Sequence, residues 1–256
     1  TMSEILCRQD EAVALVTLNR PQKYNALSAG MLDTLLSTLK QLDKQPDVRA
    51  IVLLGGPRAF SAGADTGTLA AASAIELWRS GFSEKWDQIA TLEKPLIAAV
   101  SGYALGGGLE LALLCDIIIA DSSAQFGLPE SHIGIIPGAG GTQRLVRAVG
   151  KSLAMEMLLA GRRIDAQEAR QAGLISQLTE PDELEARALA LAKQIAKAAP
   201  LAAVMIKKAV AASYEMPLSA GVAYERTLSA LIADSEDRAS GLAAFSNKQT
   251  PTFRGR

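Results

Sequence analysis

The first half of the chain alternates between short apolar runs and amphipathic stretches. Residues 49–54, 96–100 and 116–120 are almost entirely apolar, which is typical of buried strands. Within 32–42 the apolar residues recur every three or four positions, and this spacing predicts a helix with Ser28 as its N-cap. Alternating strands and helices favour an α/β architecture.

Three further stretches extend this pattern. Residues 3–19 predict a β-hairpin, because two apolar stretches flank a polar turn at 9–11. Residues 68–92 predict one or two helices, and residues 106–114 predict a helix that starts in a glycine triplet. Both helical stretches lie next to predicted strands, as a layered fold requires.

After Gly150 the chain becomes rich in alanine and helical in its spacing. We predict that Pro181 begins one helix with apolar positions up to 195, since proline is favoured at the first helical position. Further helical stretches follow at 200–213, 217–233 and 235–247. These helices hold too few bulky side chains for a core of their own, so we expect them to pack on the first part or on another subunit.

Composition and charge exclude several classes of protein. The 256 residues are 49% hydrophobic and 21% charged, with a formal net charge of -1. This balance gives no bulk attraction to nucleic acid or to anionic membranes, and no apolar run approaches the ~18–20 residues of a membrane span. The N-terminal residues lack the pattern of a secretory signal. Cys7 and Cys115 lie in apolar surroundings, so we expect buried, reduced thiols in a cytoplasmic protein.

Several tempting motifs lack a residue that their chemistry needs. A phosphate-binding loop ending at 150–152 would need glycine at position 145, which is leucine, and neither GGGLEL nor GAGGTQ completes a dinucleotide fingerprint. Residues 59–63 miss the first glycine of a nucleophile elbow. His132 is the single histidine, so we expect no zinc or other metal site. A lone histidine is more often structural, although His132 could serve as a base.

Two glutamates beside glycine-rich turns are the strongest candidates for chemistry. Glu110 follows three glycines at 106–108 and precedes a wholly apolar stretch, where an unpaired charge is costly. Glu130 lies in a second segment rich in glycine and proline. The segment SAGAD at 61–65 is predicted to form another turn, in which most side chains are small. Two backbone N–H groups from such turns could bind one oxygen while two carboxyls handle protons. Each feature alone is more often structural, so this pattern by itself names no reaction.

Several segments of the chain resemble the crotonase superfamily, both in their sequences and in their order. The likeness covers nearly the whole chain, and the matching segments are NRPQKYNAL (19–27), AFSAGAD (59–65), the run from IAAVSGYALGGGLEL to GAGGTQRL (97–145), KSLAMEMLLAGRRIDAQEARQAGLI (151–175) and EDR (236–238). Within the superfamily the chain is similar to enoyl-CoA hydratases. The ending TPTFRGR, with FGLPE, resembles the hydratases of bacterial phenylacetate breakdown, which act on a dehydroadipyl thioester.

The resemblance implies both a fold and an assembly. It implies an α/β spiral of ββα units over residues 1–198, which contains the active site. Residues 199–256 would form a helical C-terminal region that builds trimers, which usually pair into hexamers. The partner of the chain would therefore be another copy of itself.

The resemblance also assigns roles to the two glutamates and the two turns. Ala64 and Gly107 match the residues whose N–H groups form an oxyanion hole around a thioester carbonyl. Glu110 and Glu130 match both catalytic glutamates of the hydratases. Relatives that isomerise double bonds, or that hydrolyse or decarboxylate, commonly lack one of the two. We expect Glu130 to exchange a proton with the α carbon and Glu110 to orient and activate water.

Substrate-binding positions are implied around this centre. The loop with Lys23 and Ala26, together with the carbonyl of Ala62, matches positions that hold coenzyme A, and we include Asp65 beside the oxyanion turn. Some hydratases carry a lysine at the position of Gly67, so another basic residue would have to contact the phosphates here.

The segment that follows the oxyanion turn is the candidate for the acyl pocket. Trp78, Phe82 and Trp86 recur at helical spacing, a pattern more often due to core packing. Because the segment directly follows Ala64, Trp86 or Leu69 could instead line the acyl pocket.

The expected function is hydration of a short- or medium-chain 2-enoyl-CoA to a 3-hydroxyacyl-CoA in fatty acid metabolism. The reaction needs no cofactor, since coenzyme A is part of the substrate. An isomerase or another acyl-CoA reaction is the alternative. An RNA-binding relative is a more remote alternative, which the absence of a basic stripe opposes.

Overall fold

The computed structural model describes residues 3–65, 67 and 73–256. In chain order the strands are β1 (Ile5–Asp10), β2 (Val13–Leu18), β3 (Ala50–Leu54), β4 (Ala59–Ser61), β5 (Leu96–Val100), β6 (Tyr103–Leu105), β7 (Ile117–Asp121), β8 (Gln125–Gly127), β9 (Ile164–Asp165) and β10 (Gln177–Thr179). The helices are α1 (Ala29–Lys44), α2 (Ala74–Arg79), α3 (Phe82–Ala90), α4 (Gly107–Leu114), α5 (Gly141–Val149), α6 (Lys151–Leu159), α7 (Ala166–Gln171), α8 (Leu184–Ala196), α9 (Pro200–Ala212), α10 (Leu218–Leu231) and α11 (Glu236–Ser246). Short 3-10 helices cover Pro21–Lys23, Glu130–Ile133 and Ile232–Asp234.

The strands form two sheets, and from β3 to β8 successive strands alternate between them. The six-stranded sheet has the order β1-β2-β3-β5-β7-β10, and the four-stranded sheet has the order β4-β6-β8-β9. Pairing is parallel except between β1 and β2 and between β8 and β9. The chain therefore passes three times from a long strand to a short one and then into helical residues, which confirms the predicted ββα succession.

The long sheet is covered on both faces. Every residue of β3 and of β5 is buried, as expected for parallel strands between two layers. One face packs on a large cluster that includes α1 and α4, and the other packs on the apolar side of α8. Ser28 caps α1 as predicted, because its hydroxyl accepts a hydrogen bond of 3.2 Å from the Met31 N–H.

Two sequence-based expectations are wrong. Helix α8 begins at Leu184 and not at Pro181, which lies in a turn before it; the apolar positions Leu184, Ala188 and Ala192 are the ones that contact the sheet. Cys7 is exposed, because β1 is the edge strand of the long sheet, whereas Cys115 is buried as expected.

Helices α9–α11 follow the predicted boundary at residue 199. Hydrogen bonds connect residues 254–255 to α11. The buried carboxylate of Asp237 accepts bonds of 2.6 and 2.7 Å from the N–H groups of Arg254 and Gly255. The division into 1–198 and 199–256 stays a prediction. Among the described residues no single helix is long and apolar enough to cross a bilayer; α8 and α9 together meet that length and composition, but they are bent by 106°.

The start of α4 packs so closely on β4 that only glycine fits at position 108. A Cβ there would lie 2.0 Å from the carbonyl oxygen of Ser61. We expect Gly108→Ala to lower the free energy of unfolding by about 1–3 kcal/mol or more, because backbone must shift to admit the methyl group. Urea denaturation followed by circular dichroism measures the change.

Gly30 in α1 is the matched control, since a Cβ there has no heavy atom within 4 Å. Gly30→Ala is expected to be neutral or to stabilise by about 0.5–1 kcal/mol through lower backbone entropy. Equal stability of the two variants would contradict the described packing.

Candidate active site

Two backbone turns meet where β4 and β6 end. A Cβ at Gly107 would lie 3.3 Å from the Ala64 nitrogen, and one at Gly63 would lie 3.5 Å from the Gly107 nitrogen. Neither the Ala64 nor the Gly107 N–H donates a hydrogen bond to an acceptor within residues 3–65, 67 and 73–256. Gly107 is also the first residue of α4, where N–H groups have no partner in the helix. The two donors are therefore adjacent and available to one oxygen.

Glu110 lies one turn into α4, and its side chain is 4% exposed. Its Oε1 accepts hydrogen bonds of 2.8 Å from the backbone N–H of Ala139 and 2.8 Å from that of Gly141. Burial raises the pKa of Glu110, while these two hydrogen bonds and the charge of Arg144 act in the opposite direction. The carboxylate is thus partly compensated, which explains how a charged residue is accommodated in this apolar helix.

Glu130 begins a 3-10 helix after β8 and reaches the same turn. A Cβ at Gly106 would lie 3.0 Å from Glu130 Oε1, which leaves little space for a side chain. The backbone of Gly106 also has a φ of 52°, a conformation that favours glycine. The Oε2 atom of Glu130 is buried and has no hydrogen-bond partner among the described residues. Within the described part of the chain this oxygen belongs to neither a salt bridge nor a helix cap. It is therefore available for proton exchange.

The two carboxyl groups have unequal surroundings. Burial raises the pKa of Glu130 to about 7, a hydrogen bond from its own backbone N–H lowers it, and the negative charge of Glu110 raises it. Glu110 has two backbone donors, whereas Glu130 Oε2 has none among the described residues. The two backbone donors therefore favour the charged form of Glu110, whereas burial favours the protonated form of Glu130.

The loop predicted to hold coenzyme A packs directly on the turn that contains Ala64. The N–H of Ala62 donates to the Tyr24 carbonyl at 2.9 Å, and that of Leu27 donates to the Gly63 carbonyl at 2.8 Å. Lys23 is exposed and Ala26 is half-buried on this loop. The fold thus brings Lys23, Ala26 and Ala62 together beside Ala64, and their contact with substrate stays a prediction.

Asp65 joins these two segments through Arg20. Its Oδ2 accepts from Arg20 Nη1 at 2.9 Å, and the same nitrogen donates to the Ala26 carbonyl at 3.0 Å. Asp65 Oδ1 accepts from the Gly67 N–H at 3.2 Å. Hydrogen bonding to Arg20 holds the pKa of Asp65 below its usual value. In the structure this carboxylate positions the turn, and direct substrate binding by Asp65 stays a prediction.

Trp86 lies on α3 and contacts the turn that contains Gly107. Its side chain is 2% exposed, and its Cη2 lies 3.5 Å from the Cβ position of Gly107. Phe82 packs edge-on against it, with ring centroids 6.1 Å apart. Trp78 does not continue this packing, because it is 77% exposed. Leu69 lies outside the described residues.

Sequence reasoning missed the hydrogen-bond donors to Glu110. Ala139 and Gly141 lie in GAGG, which is an incomplete dinucleotide motif and part of the crotonase-like run, and neither pattern predicts a contact with Glu110. Their glycine-rich loop was the available signal for close backbone approach. His132 is exposed and packs on Gly161, whose Cβ position lies 2.5 Å from the imidazole Cε1. No group of three or more His, Cys, Asp or Glu side chains among the described residues could hold a metal ion.

Comparisons with known proteins identify relatives over the whole length of the chain. The family model described as "Enoyl-CoA hydratase/isomerase" matches residues 8–256. The chain is 46% identical over 255 residues to the 2,3-dehydroadipyl-CoA hydratase of Escherichia coli (strain K12), with 100% of each protein covered. It is 47% identical over 246 residues to the mitochondrial enoyl-CoA hydratase of Pongo abelii, covering 96% of this chain and 85% of that protein.

Solved structures give the same result for the fold. A structure from Geobacillus kaustophilus HTA426, described as "Enoyl-CoA Hydrates Subunit I", has a TM-score of 0.96 and 42% identity, with 99% of both chains covered. The enoyl-CoA hydratase of Bacillus anthracis has a TM-score of 0.94 and 37% identity, covering 99% of this chain and 100% of that one. The predictions of a crotonase-type α/β fold and of an enoyl-CoA hydratase are confirmed. The chain belongs to the enoyl-CoA hydratase/isomerase family.

Proposed function

We propose that this enzyme adds water across the 2,3 double bond of a short- or medium-chain 2-enoyl-CoA and forms the 3-hydroxyacyl-CoA. One observation carries the proposal: two adjacent backbone donors, Ala64 and Gly107, lie beside two carboxyls with unequal surroundings. The donors stabilise negative charge on the thioester oxygen, a contribution of roughly 3–4 kcal/mol per donor in comparable sites.

Each carboxyl has one part in the reaction. Glu110 takes a proton from water while the water oxygen bonds to the β carbon. The π electrons move to the thioester oxygen, where Ala64 and Gly107 donate hydrogen bonds. Glu130 then gives its proton to the α carbon as the carbonyl re-forms. The pair holds one proton before and after this sequence, so no net proton is taken up or released.

The presence of both carboxyls favours hydration over double-bond isomerisation. Isomerisation moves one proton between two carbons, and a single carboxyl can carry it. Hydration needs a second group to hold and deprotonate water, and Glu110 is buried where it can do so. Product analysis with crotonyl-CoA and with a 3-enoyl-CoA separates the two reactions.

Assembly and location complete the proposal. Helices α9–α11 expose large apolar side chains, among them Ile206 and Phe245, which are 64% and 84% exposed, and these support a homotrimer or a hexamer of two trimers. Sedimentation equilibrium distinguishes those two assemblies from a monomer. The cytoplasmic location and the role in fatty acid oxidation remain predictions from the sequence.

The proposed roles of the two carboxyls predict that removal of either one abolishes most of the activity. Glu110→Gln and Glu130→Gln are each expected to lower kcat for crotonyl-CoA hydration at least ~100-fold, the lower end for a positioned acid or base. Glutamine keeps an oxygen that can accept from Ala139 and Gly141, so the fold is expected to persist. Glu215→Gln, on the surface, is the control. Near-normal turnover in either site variant would refute its role.

The shared proton predicts a bell-shaped pH profile. The active pair holds one proton, and Glu130, with a pKa of about 7, is the group that loses it as the pH rises. We expect kcat/KM for crotonyl-CoA to fall above this pKa, and to fall again in acid when both carboxyls are protonated. Since no net proton is exchanged, dehydration of 3-hydroxybutyryl-CoA must give the same profile. Constant activity from neutral to alkaline pH would argue against the scheme.

The position of Trp86 predicts a limit on chain length. We expect the wild type to have a higher kcat/KM for crotonyl-CoA than for dodec-2-enoyl-CoA, because the indole fills space beside the hole. Trp86→Ala should shift this ratio toward the longer chain, and Trp86→Leu should do so with a smaller loss of stability than the about 3–5 kcal/mol typical of Trp→Ala. Dehydroadipyl-CoA belongs in the same substrate panel. An unchanged ratio in both variants would remove Trp86 from the acyl pocket.

A further inference from the structure

Arg144 lies against the glycine-rich loop at 138–141, which binds Glu110. It is near the start of α5, and its Nη1 donates a hydrogen bond of 3.2 Å to the Ala139 carbonyl. A Cβ at Gly140, where φ is 96°, would overlap this guanidinium group. Glycine at position 140 therefore allows the arginine to lie directly on the loop backbone.

The peptide unit that Arg144 binds lies between the two units that bind Glu110. Glu110 Oε1 accepts hydrogen bonds of 2.8 Å from the N–H groups of Ala139 and Gly141. The carbonyl bound by Arg144 belongs to the unit that joins Ala139 to Gly140, in the middle of the three. Because a peptide unit is planar and rigid, holding the middle one restricts the directions of both neighbouring N–H groups.

Arg144 also brings positive charge close to Glu110. Burial raises the pKa of Glu110, and the two backbone hydrogen bonds and the charge of Arg144 lower it. The facing anion is Glu130, from the 3-10 helix after β8, whose own pKa is raised by burial and by the charge of Glu110. The carboxylate of Glu110 thus lies between one cation and one ionisable acid.

Helix α3 adds little to this balance. It packs on α4 and carries the charged residues Glu84, Lys85 and Asp87. Lys85 is paired at 2.7 Å with Asp33 of α1, and Asp87 Oδ1 lies 4.0 Å from Arg144 Nη2. The Asp87 side chain is 72% exposed, so water screens this long contact. The hydrogen bond to the loop is therefore the main interaction of the guanidinium group.

The stability of α5 does not account for an arginine at this position. A cation near the start of a helix is unfavourable, because the free N–H groups there already create a positive potential. Resting on the proposed function, we propose that Arg144 is a positioning residue for Glu110, which holds the two loop donors on the carboxylate and keeps it charged to accept a proton from water. Arg144 acts through the loop and through its charge, without contacting the substrate.

A neutral substitution tests this role. Arg144→Gln is expected to lower kcat for crotonyl-CoA about tenfold or more, the effect of losing a hydrogen bond from a charged group, while KM stays within about twofold. Loss of the positive charge favours protonated Glu110, so the acidic limb of the kcat/KM profile should move to higher pH. Kinetics across the pH range measure both effects.

Two further variants serve as controls. Arg147 lies one turn further along α5 and donates to the Gln143 carbonyl at 2.8 Å, so Arg147→Gln should keep the wild-type kcat and acidic limb. Arg144→Lys keeps the charge, so its acidic limb should stay at the wild-type pH while kcat recovers only in part. Arg144→Lys also carries the test if circular dichroism shows that Arg144→Gln does not fold.

Three results would overturn the proposal. The first is a wild-type kcat in Arg144→Gln, or in Arg144→Lys where only that variant folds. The second is a lower kcat in Arg144→Gln with an unmoved acidic limb, as loss of packing alone would give. The third is an acidic limb that moves in Arg144→Lys. All three leave the proposed function intact, provided that the wild type hydrates crotonyl-CoA; a wild type without this activity refutes the function itself.

Discussion

The contact between Gly108 and the Ser61 carbonyl is the constraint on which the site depends. It lets the first turn of α4 lie directly on the end of β4, so the turns that contain Ala64 and Gly107 come within van der Waals distance. Parallel strands deliver both turns to the same end of the short sheet. A single methyl group at this contact would separate the two N–H donors that the proposed reaction requires at one oxygen.

The polarity of the site follows from that packing. A helix that starts inside the protein has buried N–H groups and a carboxylate in its first turns, and both need partners. The glycine-rich loop at 138–141 supplies two donors to Glu110, while Glu130 is left with an unpaired oxygen. The difference between the two carboxyls is therefore set by backbone position, because the side chains are chemically identical.

Local patterns were enough to predict five of the six strands of the long sheet, the cap at Ser28 and the two candidate glutamates, but none of the four strands of the short sheet. They failed where a contact joins distant residues. Ala139 and Gly141 lie 29 and 31 residues from Glu110, and no spacing rule connects them. The exposure of Cys7 depends on which strand lies at the sheet edge, and the start of α8 depends on which of its residues reach the sheet.

The proposed oxyanion hole is made of main chain and the proposed proton relay of side chains, and this has a consequence for how such an enzyme can evolve. Substitution at position 64 changes a side chain but keeps an N–H in place, so stabilisation of an enolate is robust to sequence drift. The relay depends on two replaceable carboxyls. One or two substitutions could therefore redirect a stabilised enolate toward different chemistry without rebuilding the scaffold that creates it.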